Sequence, residues 1–282
     1  MKYLIFLMLI IPCLTFSGCQ KEETKNISSL EAQDLTNLNY GTHPSQTVDI
    51  YLPKNRNSET KTIILVHGGS WLAGDKGELR DLALTFRNKG YATASVNYRL
   101  SHTAENHVFP AALDDLDNAI KFVSNKSQEW NVSDNLYSLM GLSAGGHLAL
   151  LYTYTRNTDN KIKTVISIAG PTDLLSLYNT SSQHAQVVKW FVGQTPQENT
   201  AIYKEVSPIS FVKNSSKPTL LFHGKQDLVV PYQQSLSLKV KLDEFDVKNK
   251  LVTYTNLGHE ADVKVVPGFV SECEAWLAEN LK

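Results

Sequence analysis

The sequence predicts an α/β fold, with a mostly parallel central sheet and helices on both faces. Three observations carry this. Short apolar runs alternate with stretches of helical periodicity along most of the 282 residues, which is the pattern of successive βαβ units. Thr62–Val66 is an unbroken apolar run, as expected of a strand covered on both sides. Around Gly141-Leu142-Ser143-Ala144-Gly145 an apolar run, a tight turn and a helix-compatible run follow one another. The content, 42% hydrophobic and 20% charged, suits one large domain with a substantial core. A formal net charge of −1 carries none of the basic excess that marks a nucleic-acid binder.

Residues 1–19 stand apart. Lys2 precedes an apolar stretch, then come Pro12 and Phe16-Ser17-Gly18-Cys19. A basic start, an apolar stretch and small residues before a cut read as a secretory signal. The stretch is short for a bilayer span. Phe-Ser-Gly-Cys resembles a bacterial lipobox. That resemblance implies that Cys19 becomes the lipidated N-terminus of a cell-envelope lipoprotein of the outer membrane, periplasmic or surface-exposed. Gln20-Lys21-Glu22-Glu23 is similar to the signal that sends some Gram-negative lipoproteins to the cell surface. Residues 20–40 are polar and read as a tether, leaving 41–282 as the folded domain. With Cys13 in the leader and Cys19 at the anchor, Cys273 has no disulfide partner. It lies in an amphipathic segment and is expected to pack as a small hydrophobe.

The elements follow in order. Residues 48–52 show the alternating pattern of a strand, and 62–66 is the buried strand. Residues 79–89 read as a helix stopped by Gly90, and 92–97 as a strand. Pro110 opens a helix over 111–123. Strand 136–142 and helix 144–154 flank Ser143, and 164–169 is the next strand. Residues 170–216 are less regular, rich in Pro, Ser and Thr, and leave room for a small cap at most. Strand 219–223, helix 233–245, strand 251–254 and helix 265–281 complete the chain.

On such a sheet, ligands bind beyond the carboxyl ends of the strands, and every motif of interest falls there. Ser143 sits between two glycines at the apex of its turn, held clear of the sheet above a helix N-terminus. A serine hydroxyl needs a base, usually a histidine oriented by a carboxylate. His259, in Asn256-Leu257-Gly258-His259-Glu260, and Asp227, in Phe222-His223-Gly224-Lys225-Gln226-Asp227, each follow a strand. Singly, such a histidine is a surface residue and such an aspartate a helix cap. Together with Ser143 they make a candidate nucleophile, base and orienting acid. After the buried strand comes His67-Gly68-Gly69-Ser70-Trp71, whose Gly69 and Ser70 amides, with that of Ala144, form a candidate oxyanion hole. His67 precedes the glycines and is expected to brace this loop.

These motifs, taken with Val96-Asn97-Tyr98-Arg99-Leu100 and Phe109-Pro110-Ala111-Ala112-Leu113-Asp114-Asp115, carry a resemblance. From about residue 45 to about 280 the chain resembles the esterase/lipase branch of the α/β-hydrolases related to the hormone-sensitive-lipase group. In appearance it is nearest to acetyl-esterase/feruloyl-esterase-like carboxylesterases. The order Ser143, Asp227, His259 is the one that fold uses. Ser70 departs from the group, which usually has a third glycine there; a serine keeps its amide but narrows the pocket or offers a hydroxyl. The resemblance implies that Arg99 and Asp115 are structural partners. Asp173 caps a helix or lines the pocket, and Trp71, Trp190 and Phe191 line the site or fill the core. His102, His107, His147 and His223 lie on different loops without metal-ligand spacing.

The implied function is a serine carboxylesterase acting on short-chain or aromatic acyl esters, acylated polysaccharides among them, with no cofactor and no metal. Its partners would be a small ester or acylated carbohydrate and, through the lipid anchor, a membrane. An arylformamidase-like amide hydrolase, with a similar His-Gly-Gly-x-Trp loop, is one alternative. A non-catalytic binding lipoprotein on a hydrolase scaffold is another, of a different class. A prolyl-type peptidase would bring a large N-terminal domain, and a triglyceride lipase an apolar lid, so both fit less well.

Overall fold

The computed structural model describes residues 3, 30–101, 107–259 and 267–282. Cys19, and all of the expected leader except Tyr3, fall outside these residues, as does His102. Among the described residues eight strands form one sheet: β1 (Gln33–Asn39), β2 (Thr47–Leu52), β3 (Thr62–Val66), β4 (Ala92–Val96), β5 (Tyr137–Leu142), β6 (Ile162–Ile168), β7 (Thr219–Gly224) and β8 (Asn249–Tyr254). Their spatial order is β1-β2-β4-β3-β5-β6-β7-β8. β1 and β2 pair antiparallel, as do β2 and β4, and every other pair is parallel. The helices are α1 (Arg80–Asn88), α2 (Ala111–Trp130), α3 (Ala144–Thr155), α4 (Leu174–Tyr178), α5 (Ser182–Val192), α6 (Thr200–Glu205), α7 (Gln233–Glu244) and α8 (Phe269–Asn280). This is the α/β-hydrolase arrangement.

The alternation of side chains along each strand divides the core into two layers. In β3, Ile64 and Val66 face one layer while Ile63 and Leu65 face the other. Leu139 and Met140 divide in the same way in β5, as do Leu221 and Phe222 in β7. The first layer is closed by α2, α3, α7 and the α4–α6 segment, with Leu116, Leu148, Leu238 and Phe191 buried in it. The second is closed by α1 and α8, through Phe86, Phe269, Cys273 and Leu277. Cys273 is fully buried there, and burial pushes its thiol well above the ordinary range. The packing role expected of it holds.

Three expectations need correction. The tether does not run to residue 40: Gln33–Asn39 is an edge strand paired with β2, its register broken between Leu35 and Leu38. Lys76 reaches across to clamp it, contacting Asn37 Oδ1 at 2.8 Å and Asp49 Oδ1 at 3.0 Å. Residues 170–216 are not irregular but carry α4, α5, α6 and a 3-10 turn over Pro208–Phe211. Asp173, Ser181 and Asn199 each accept a backbone amide at a helix start, so Asp173 is a cap. The helix expected over 111–123 runs on to Trp130, where Asn131 closes it in the left-handed conformation. Arg99 and Asp115 are structural, as implied: the buried Asp115 carboxylate takes the Arg99 backbone amide and guanidinium, and Gln46 Nε2.

Candidate active site

Ser143 lies between β5 and α3 with φ 53° and ψ −120°, a conformation that costs a residue with a Cβ on the order of 1–3 kcal/mol. The strain is imposed by close approach. A Cβ at Gly145 would stand 2.1 Å from the Val66 carbonyl oxygen and 2.4 Å from that of His67. Helix α3 can therefore pass against the end of β3 only with glycine there. The Ser143 amide donates to Ile168 O at 2.8 Å, tying the turn to the end of β6.

The structure brings the three candidate residues together. His259 Nδ1 lies 2.7 Å from Asp227 Oδ2, and its Nε2 lies 3.0 Å from Ser143 Oγ. Because the carboxylate only accepts, Nδ1 carries the hydrogen and Nε2 is left to accept from the serine hydroxyl. The other carboxylate oxygen, Oδ1, takes the amides of Val229 at 2.9 Å and Val230 at 2.8 Å. Burial works against charge on Asp227, but hydrogen bonds from His223, His259 and the Val230 amide, with the charge of His259, hold the carboxyl well below the usual range. This line can remove a proton from the serine, hold it on an imidazole and return it to a leaving group.

The glycine-rich loop lies alongside. Gly69, Ser70 and Trp71 have φ of 103°, 55° and 63°, three left-handed residues in a row. Only Gly69 adopts this freely, and a Cβ there would sit 2.1 Å from Ala73 O. Neither the Gly69 nor the Ser70 amide has an acceptor among the described residues. Ser70 and Ala144 line the same cavity as Ser143; Gly69 is not among its lining residues. His67 braces the loop as expected. Its ring is buried, stacks on Tyr98 at 4.4 Å, and donates from Nδ1 to Gly68 O at 2.7 Å.

Trp71 is anchored as well as wall-forming. It is 2% exposed, stacks on Phe191 of α5 at 4.5 Å, and donates from Nε1 to His147 Nδ1 at 3.1 Å. Phe191 is core, and neither it nor Trp190 lines the cavity. His147 and His223 are not on loops: His147 lies within α3 and His223 near the end of β7. Among the described residues no cluster of three or more His, Cys, Asp or Glu could hold a metal ion.

The His147 ring is completely buried and donates from Nε2 to Val206 O at 2.7 Å. Burial dominates over that hydrogen bond and takes its pKa from 6.5 down to about 4. As pH falls from about 6.5 to about 4, the unfolded chain takes up a proton that the folded one refuses. Stability is therefore undiminished above that window and declines within it, by about 3 kcal/mol in all. Urea unfolding at pH 7 and 4.5 should show a smaller acid loss in His147→Gln, whose amide can keep both hydrogen bonds. An equal loss in both proteins would remove His147 as its source.

The cavity beside Ser143 has a volume of about 220 Å³. Its walls are mostly apolar, with Leu177, Val187 and Val188 from the α4–α5 cap facing Val229 and Val230 of the Asp227 loop. Leu228, 88% exposed, stands at its rim. His184 of α5 joins the two sides, accepting or donating at Ser181 Oγ through Nδ1 and donating from Nε2 to Val229 O at 2.8 Å.

Comparison with known proteins agrees with this architecture. Esterase LipC of Mycobacterium tuberculosis is 26% identical over 245 residues, covering 79% of this chain and 59% of LipC. Isoprenylcysteine alpha-carbonyl methylesterase ICME of Arabidopsis thaliana is 25% identical over 239 residues, covering 78% of this chain and 55% of its own length. The chain thus spans little more than half of these relatives. Among solved structures, a truncated form of a carbohydrate esterase from gut microbiota superposes with a TM-score of 0.78 at 25% identity, covering 89% of this chain and 97% of that one. The BD-FAE family model matches residues 48–242, from β2 into α7, and the chain belongs to the BD-FAE family.

Proposed function

We propose that the protein is a serine carboxylesterase. The carrying observation is the unbroken line from Asp227 through His259 to Ser143, with Ser143 lining an apolar cavity. Ser143 Oγ attacks the ester carbonyl as His259 Nε2 takes its proton. Asp227 holds the imidazole and balances its positive charge. The amides of Ser70 and Ala144, and that of Gly69, are the donors for the developing oxyanion. His259 then protonates the leaving alcohol and activates the water that frees the acid. The names of the relatives, LipC and ICME, support ester hydrolysis.

The substrate reading is a short-chain or aromatic acyl ester carried on a carbohydrate. The solved carbohydrate esterase favours the carbohydrate. The cavity favours the small acyl group, since about 220 Å³ falls below the ~300–1,000 Å³ that drug-sized ligands occupy. Acid release from acetylated xylan, feruloylated arabinoxylan, N-formylkynurenine and a series of p-nitrophenyl esters, measured side by side, tests this. Turnover should be greatest on an acylated carbohydrate and on the shorter p-nitrophenyl esters. Preference for N-formylkynurenine would replace the reading with an arylformamidase. Preference for acyl chains of about ten carbons or more would be at odds with so small a cavity. Hydrolysis of none would leave a binding protein.

A further inference from the structure

Asp227 is gripped by a fourth donor that the reaction line does not need. His223 lies four residues earlier, near the end of β7, and is wholly buried. Its Nε2 stands 3.2 Å from Asp227 Oδ2, the same oxygen that His259 uses, and 2.8 Å from Val230 O. Both of those neighbours are acceptors. A lone pair at Nε2 would face two oxygens and find no proton, so Nε2 carries hydrogen whatever the charge of the ring. Nδ1 stands 2.7 Å from Ser235 Oγ, which fixes the ring plane from the α7 side. The Tyr232 ring meets the imidazole edge-on at 5.7 Å. His223 is wholly buried with both ring nitrogens engaged, so it does not meet the substrate itself.

We propose that His223 is a positioning residue of the hydrolytic reaction: its Nε2–H, steadied by Ser235, shares Asp227 Oδ2 with His259 and thereby tempers how strongly His259 holds its proton. The inference rests on the esterase reading of Ser143, Asp227 and His259. A carboxylate oxygen stabilises a neighbouring imidazolium in proportion to the negative charge it keeps. A donor at that oxygen draws some of this charge away. With the His223 N–H removed, Oδ2 serves His259 alone, and the imidazolium becomes more stable. The titratable groups in contact with the Asp227 carboxylate among the described residues are His223 and His259. Tyr232 meets the His223 ring edge-on and pairs its hydroxyl with Thr253 Oγ1, and His184 of the cap reaches the Val229 carbonyl rather than the carboxylate.

The test compares wild type, His223→Leu and His223→Gln by the NMR titration of His259 and by kcat/KM against pH. In His223→Leu the His259 titration and the acid limb should both move to higher pH by about 0.5–1, a fraction of the 1–3 that a full opposite charge produces. The amide donor of His223→Gln should bring both back toward wild type. A fall in rate with neither midpoint moved would mean a structural role only, and would overturn the proposal. Should the leucine variant fail to fold, ¹⁵N-histidine spectra of the wild-type protein decide. Nε2 of His223 is expected to be protonated at neutral pH, and an unprotonated Nε2 overturns the proposal. The two readings fail differently: no ester hydrolysis by wild type removes the esterase, whereas hydrolysis with an unmoved His259 removes only this role for His223.

Discussion

Ser143→Ala is expected to lower kcat/KM on p-nitrophenyl acetate by about 10⁴- to 10⁶-fold while leaving the fold in place. At 1.36 kcal/mol per tenfold change this is roughly 5–8 kcal/mol of transition-state stabilisation. The size follows from what the hydroxyl does and what remains without it. On the proposed mechanism the acyl-enzyme route would be lost altogether, whereas the cavity, the glycine-rich loop and the Asp227–His259 pair would persist. The fold should barely notice. Alanine meets the same constraint at φ 53° as serine does, and the bond from residue 143 to Ile168 belongs to the backbone. The side chain pairs with His259 Nε2. Losing one hydrogen bond at a partly accessible site costs about 1 kcal/mol, so the melting temperature should stay within a few degrees of wild type. Wild-type turnover in the variant would dismiss Ser143 as nucleophile. A large drop in melting temperature would show that the lost activity reports unfolding instead.

The parts of this fold that could be read from the sequence are those where one physical constraint acts alone. A strand buried on both faces tends to read as a nearly continuous apolar run, and β3, apolar from Ile63 to Val66 after Thr62, lies where that tendency places it. A turn whose backbone touches neighbouring backbone must use glycine, which made Gly141 and Gly145 visible beside Ser143. β1 obeys two constraints at once. An edge strand buries little, and the irregularity between Leu35 and Leu38 sets its two apolar residues three apart, which breaks the period-two pattern. Polar composition then looked like tether. The helices over 170–216 are short, so their apolar periodicity is weak. A usable signal was nonetheless present in Asp173, Ser181 and Asn199, each the N-cap of the helix after it. The meeting of 143, 227 and 259 was legible because each follows a strand, and the ends of parallel strands share one edge of the sheet. The contact of His223 with Asp227 was not. Nothing in the sequence from His223, in β7, to Asp227 says that the chain turns back to put an imidazole against the carboxylate.

Asp227→Asn should cost about 10⁴ in kcat, nearly as much as losing the nucleophile. The reason lies in the unequal surroundings of the two carboxylate oxygens. Oδ1 is pinned by the Val229 and Val230 amides, both of them donors. An asparagine must therefore keep its carbonyl oxygen on that side, because turning its NH₂ there would set donors against donors. The NH₂ then faces His259 Nδ1, where Oδ2 had been. Nδ1 can pair with it only as an acceptor, which moves the ring hydrogen to Nε2. The ring then offers a hydrogen to Ser143 where it should offer a lone pair, and it cannot serve as the base. Hydrogen bonding alone forces the wrong tautomer while the side chains keep their places. The same NH₂ would also confront the His223 Nε2 hydrogen at a site without water access, so a loss of about 1–3 kcal/mol in stability should accompany the rate loss. Urea unfolding, ¹⁵N-histidine spectra and steady-state kinetics on the same preparation separate the two effects. A folded variant in which His259 still carries its hydrogen at Nδ1 and turns over within tenfold of wild type would refute Asp227 as the residue that orients the base.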